Sequence, residues 1–201
     1  GLVLSTSIFK IFAPKSGKQV SLDYKKFWKH SLVTAVSSKV INRYLYFPED
    51  DELFSAAILH DIGKIILDQY DHENYAKVLS DIPNQIDFKG TIEAEEKYCE
   101  TIHPDIGYVV AESWNLPEKL SDVIKFHHTP FESEENSRLA AIVYLGNVFA
   151  SILLDLEMFD SSLFDETILE YFGLSEDDLL SINAEIIESI QEIDDFEIFF
   201  K

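Results

Sequence analysis

LFSAAILHDIGK, residues Leu53–Lys64, is the stretch that decides how this chain is read. An almost unbroken apolar run delivers an adjacent His60-Asp61 pair toward the interior, where both side chains are costly without a partner. A divalent cation is a partner that satisfies a histidine and a carboxylate together. Four more histidines, His30, His103, His127 and His128, sit where they could join the pair.

Outward from this stretch the apolar spacing is helical nearly throughout. Ser21–Leu45 reads as one long helix, with Phe27, Ser31, Thr34, Ser38 and Ile41 along a single stripe. Glu49–His60 follows, with Asp50, Asp51 and Glu52 expected in its first turn, where acids suit the helix dipole. Gly63 is expected to break or bend the chain. Lys64–Tyr70 and His72–Leu79 read as short helices, Asp81–Gly90 as a loop. Thr91–Trp114 reads as helix with an irregularity near His103-Pro104, because proline disfavours helix just before it. Pro117–His128 is the next helix. Ser137 is expected to cap a long apolar helix reaching about Met158. Asp165–Phe172 ends at Gly173, Ser175 opens a last helix to about Ile193, and Asp194–Lys201 is a tail. The expectation is an all-α, single-domain bundle of eight or more helices. Residues 1–20 are expected to be the end of a truncated N-terminal helical portion. Residues 21–160 form the core, and residues 161–201 an acidic C-terminal extension packing on that core.

Charge and composition limit the function classes. The chain carries a formal charge of −21, and residues 129–201 hold 18 acidic and 2 basic residues. Such a surface repels nucleic acid and anionic lipid, whose binding needs Lys and Arg against phosphates. A solvated, solubility-giving face is the plain reading, and a basic protein partner is the sharper one. No apolar run reaches the roughly 18 residues of a membrane span. Leu139–Leu154 comes closest and is interrupted by Asn147 and Ser151. No signal peptide is visible at Gly1–Phe12, and the single cysteine, Cys99, excludes an internal disulfide and suits a reducing cytoplasm.

Each histidine alone has a plain explanation. His30 suits a packed mid-helix position, and His103 an N-cap. His127 and His128 suit a helix end, where histidine complements the dipole. His72, between Asp71 and Glu73, reads as ordinary surface. Adjacent residues face different ways on a helix, so His127 and His128 can meet one centre only where the helix ends. Together the five histidines other than His72 spread over four predicted helices, which is how helical bundles build metal sites.

The series FWKHS (27–31), LHDIGK (59–64), HPDIGYVVAESWNLP (103–117), IKFHH (124–128) and LAAIVYLGNVFA (139–150) resembles the HD superfamily of metal-dependent phosphohydrolases. It resembles more closely the HDOD branch, the HD-related output domain of bacterial signalling proteins, over about Phe27–Ala150. The resemblance implies a first metal ligand at His30, the signature doublet at His60 and Asp61 with Asp61 bridging, and the histidines of a two-metal centre at His103, His127 and His128. It also implies a lysine beside substrate phosphate at Lys64, so that Asp61 and Lys64 are the catalytic candidates. The family's last ligand, an aspartate, falls on Asn147. An amide offers a neutral oxygen only, which weakens divalent binding and the activation of water. The Gly-Tyr-Pro motif of related cyclic-di-GMP phosphodiesterases is absent, His128-Thr129-Pro130 standing after His127.

The resulting expectation is a signalling output domain with a degenerate metal site, binding a signalling protein or a small phosphorylated ligand in the cytoplasm. The alternative is a phosphohydrolase acting on a nucleotide or phosphodiester. The expected cofactor is one or two divalent ions of iron, manganese, zinc or nickel, since histidine-rich sites accept several metals.

Overall fold

The structure, a computed structural model, describes residues 20–48, 51–82, 88–156 and 158–191. Regular structure among these residues is helical: α1 Tyr24–Tyr44, α2 Leu53–Leu59, α3 Ile62–Tyr70, α4 His72–Asp81, α5 Phe88–Cys99, α6 His103–Ser113, α7 Glu118–Phe126, α8 Ser137–Asp155, α9 Glu166–Phe172 and α10 Glu176–Gln191. Two 3₁₀ turns, Pro130–Glu132 and Ser161–Leu163, link the later helices. This is the all-α bundle that the periodicity predicts. The expected N-terminal helical portion, apart from Val20, and the tail Asp194–Lys201 lie outside the described residues.

The centre of the bundle is α8 laid along α1. The stripe Phe27, Ser31, Thr34, Ser38 and Ile41 is buried as its spacing predicts. A Cβ at Gly146 would lie 2.4 Å from Ser38 Oγ and 2.8 Å from the Thr34 carbonyl, so only glycine lets the two helices approach this closely. By length and composition Ser137–Asp155 could cross a membrane, but 72% of its apolar window is buried inside the bundle. Its apolarity is accounted for by the core it fills: Ile142, Leu145 and Phe149 are fully enclosed. The last helix, α10, packs on α1. Ser175 and Asp178 cap it reciprocally, and Asp178 accepts a hydrogen bond from Tyr44 Oη at 2.7 Å.

Several boundaries differ from expectation. α2 begins at Leu53, so Asp51 and Glu52 precede its first turn. Gly63 is inside α3, and the chain turns at His60-Asp61 instead. A Cβ at Gly63 would lie 1.9 Å from the His103 carbonyl oxygen, so this glycine serves a backbone crossing of α3 and α6. Helix continues to Asp81 and resumes at Phe88, which shortens the expected loop at both ends. The stretch Thr91–Trp114 is two helices, separated at residues 100–102, where Glu100 has φ 56°. Ser137 is the first helical residue of α8 and Asn136 occupies the cap position, with no side-chain capping bond. Helix α8 stops at Asp155.

Candidate metal centre

Four helix ends and two helix interiors converge on Asp61. Asp61 and His60 stand at the α2–α3 turn, His103 opens α6, and His127 and His128 follow the last residue of α7. His30 lies within α1 and Asn147 within α8. The irregular backbone after Phe126 lets both adjacent histidines turn inward: His127 and His128 lie with ring centroids 4.1 Å apart, and each reaches His103. All seven predicted ligands are thus brought together, and Lys64 with them. His72 stands apart, half-buried, with Nδ1 3.5 Å from Asp68.

Donor atoms form two groups that share Asp61. One is His30, His60 and Asp61; the other is Asp61, His103, His127 and His128. Asp61 Oδ2 faces His60 Nε2 at 3.4 Å and His30 Nε2 at 4.0 Å. Oδ1 faces His103 Nε2 at 3.1 Å and His127 Nε2 at 3.4 Å. Lys64 Nζ donates to Oδ2 at 2.7 Å.

Neighbouring acceptors set the histidine tautomers. His60 Nδ1 donates to the Ala57 carbonyl at 2.7 Å and His127 Nδ1 to the Ile124 carbonyl at 2.9 Å. A carbonyl only accepts, so each Nδ1 carries a proton, and Nε2 is the ring nitrogen that each turns toward Asp61. His60 Nε2 makes no hydrogen bond although it is buried. His103 Nδ1 donates to Glu95 Oε2 at 2.7 Å, the carboxylate–histidine pairing that orients metal-binding imidazoles. Inward-facing lone pairs, with a buried carboxylate oxygen among them, repel one another unless a cation or proton lies between them. The donor set therefore fits a divalent metal.

Electrostatics agree. Burial alone would raise the Asp61 carboxyl, but His60 and Lys64, with His103 and His127 against it, hold it well below the ordinary value. Burial pushes His127 down to about 4 and His30 down to about 3, Asp61 opposing both. Burial, with His127 and His103 nearby, also pushes His128 well down. His103 is the exception: burial disfavours its charge, but Glu95 and Asp61 outweigh that and raise its pKa. At neutral pH His30, His127 and His128 are therefore uncharged, which leaves His127 and His128 competent as ligands, while His30 Nε2 is engaged with Asn147.

Beside the centre lies a cavity of about 70 Å³ whose wall includes His30, Asp61, Lys64, Tyr75, Phe88 and Asn147. Lys26, paired to Asp155 at 2.6 Å, also lines it. Asn147 Oδ1 accepts from His30 Nε2 at 2.8 Å. Glu95, fully buried, is the functional residue that the sequence reading missed. It accepts both the backbone N–H of His103 at 2.8 Å and its ring N–H. No sequence signal singles it out, because Glu93 and Glu96 stand beside it in the same helix and packing alone turns Glu95 inward.

Known proteins agree with this architecture. The chain is 23% identical over 137 residues to an uncharacterized protein of Treponema pallidum (strain Nichols), which covers 68% of this chain and 26% of that protein. It thus spans about a quarter of that relative's length. A crystal structure of an HDOD domain protein of unknown function from Geobacter sulfurreducens shares the fold with TM-score 0.74 at 23% identity, over 98% of this chain and 69% of that one. A provisionally named phosphohydrolase from Shewanella amazonensis shares it with TM-score 0.67 at 21% identity, over 93% and 66%. At these identities the likeness concerns the fold. The family model for the HDOD domain matches residues 1–130, well over half of the sequence, and the chain belongs to the HDOD domain family.

Proposed function

We propose that this chain is a signalling output domain that retains a metal-binding centre but not the full apparatus of a hydrolase. One observation carries this reading: the position of the last acidic ligand is Asn147, whose amide oxygen is already engaged by His30. A missing carboxylate leaves the His30 half of the centre short of negative charge, so it holds a divalent ion weakly. Lys64, the candidate phosphate-binding lysine, is committed to Asp61. The domain then acts by binding, and the cavity beside Lys64 and Lys26 suits a small phosphorylated ligand or the side chain of a signalling partner. A cytoplasmic location fits this role.

A second reading has a specific observation in its favour. Asp61, His30 and Lys64 share the cavity wall, which is where a phosphohydrolase would present them to a nucleotide or phosphodiester. A bound divalent ion supplies Lewis acidity toward a phosphoryl oxygen. His30 and Lys64 would orient the phosphate from that wall.

The two readings part on turnover. Purified protein is loaded with iron, manganese, zinc or nickel and offered a panel of nucleotides and phosphodiesters. The output-domain reading expects no turnover above that of His60→Ala and Asp61→Ala. Metal-dependent turnover that both substitutions abolish would replace it with the hydrolase reading.

A further inference from the structure

The two carboxylate oxygens of Asp61 meet surroundings of different charge. Oδ2 already has an ammonium, Lys64 Nζ, at 2.7 Å. Of its two imidazole neighbours, His60 Nε2 lies 3.4 Å away, and His30 holds its Nε2 proton on Asn147 Oδ1, so that only one of the two nitrogens could face an ion there. Oδ1 has only imidazoles. His103 Nε2 lies 3.1 Å from it, 3.3 Å from His127 Nε2 and 3.2 Å from His128 Nε2, and His127 Nε2 lies 3.4 Å from the same Oδ1. Ligand atoms around a tetrahedral ion with bonds of about 2.0–2.1 Å are separated by roughly 3.3–3.4 Å. Four of the six separations in the Oδ1 group are nearly that, and all six lie within 4.8 Å.

Charge points the same way. Asp61 and Glu95 are the buried carboxylates that touch the centre. One divalent ion together with Lys64 exceeds them by a single positive charge. A second ion would raise the excess to three, in surroundings where like charges repel far more strongly than in water.

We infer that this centre takes one divalent ion, held by Asp61 Oδ1, His103, His127 and His128, and that the Lys64 ammonium stands in for a second ion on Asp61 Oδ2. Four protein donors close the coordination sphere, as in structural sites, whereas catalytic sites keep a position open. The ion ties the α2–α3 turn, the start of α6 and the end of α7 together. This rests on the metal-binding component of the proposed function and is independent of its signalling component.

The test is a titration of the metal-free 201-residue chain with zinc, and with cobalt(II) as a spectroscopic probe. We expect one ion per chain and the intense visible bands of four-coordinate cobalt. His128→Ala should weaken binding at least about tenfold, while His30→Ala leaves it unchanged. Lys64→Met, and more strongly Lys64→Met combined with Asn147→Asp, should raise the stoichiometry to two. Circular dichroism checks the fold of each variant, and Lys64→Gln, which keeps a donor to Asp61 without the charge, replaces Lys64→Met if that variant does not fold. Two ions in the unaltered chain would overturn the inference. So would no ion, binding that follows His30 rather than His128, or a stoichiometry fixed at one in the double variant. Two ions without turnover would leave the output-domain reading standing; turnover with one ion would remove that reading and leave this inference intact.

Discussion

The acidic last third and the histidine centre both depend on carboxylates, and they place them in opposite surroundings. Residues 129–201 carry 18 acidic residues, and Asp165, Glu166, Glu170, Glu176 and Asp177 face water. The centre has Asp61 and Glu95, 2% and 0% exposed. Exposed carboxylates are screened, and the contacts they make are worth little. A buried carboxylate left without partners is costly, so the groups that answer Asp61 and Glu95 are held in place around them. Net charge therefore describes the surface of this protein, while Asp61 and Glu95, which barely change the total, organise the histidine centre.

Four substitutions or treatments bear on that contrast, the largest effect first. Glu95→Ala removes the acceptor of two His103 N–H groups and should cost about 3–5 kcal/mol in urea unfolding with chelator present. A loss no greater than that at an exposed acid would erase the contrast. Chelation comes next: an ion present at about a hundred times its dissociation constant adds roughly 2.7 kcal/mol, so adding EDTA should lower the melting temperature by several degrees. No change on chelation would mean that the centre contributes through its protein contacts alone. Ser175→Ala removes the cap of α10 and should cost about 1 kcal/mol by thermal unfolding. Glu170→Ala, on the water-facing side, should stay within about 0.5 kcal/mol in the same measurement. A larger change there would show that the acidic third holds structure and is more than a solvated face.

Residues with unusual chemistry were the legible ones. His60-Asp61, His30, His103, His127 and His128 stand out against a helical pattern, because histidine beside aspartate on an apolar face needs a reason. Glu95 did not stand out, because Glu93, Glu95 and Glu96 are alike in sequence and only packing selects the one that turns inward. Gly63 misled for a related reason. A glycine after a buried pair looks like a break, whereas here it sits in α3 so that the His103 backbone can cross it. The division of Thr91–Trp114 was also hidden. Glu100 takes a positive φ without glycine's freedom, and the anchoring of His103 by Glu95 just beyond it is a tertiary contact that no local propensity records.

The hydrogen bond between His30 and Asn147 joins residues 117 positions apart. The other members of the centre fall between them in the chain, so the cluster exists only when nearly the whole domain has closed on itself. Contacts of such long sequence separation form late, because loop-closure entropy must be met before they stabilise anything. The four donors inferred to hold the ion, Asp61, His103, His127 and His128, all lie between these two residues, so occupancy would report the closing of the α2–α7 segment, and the His30–Asn147 bond the later docking of α8 on α1.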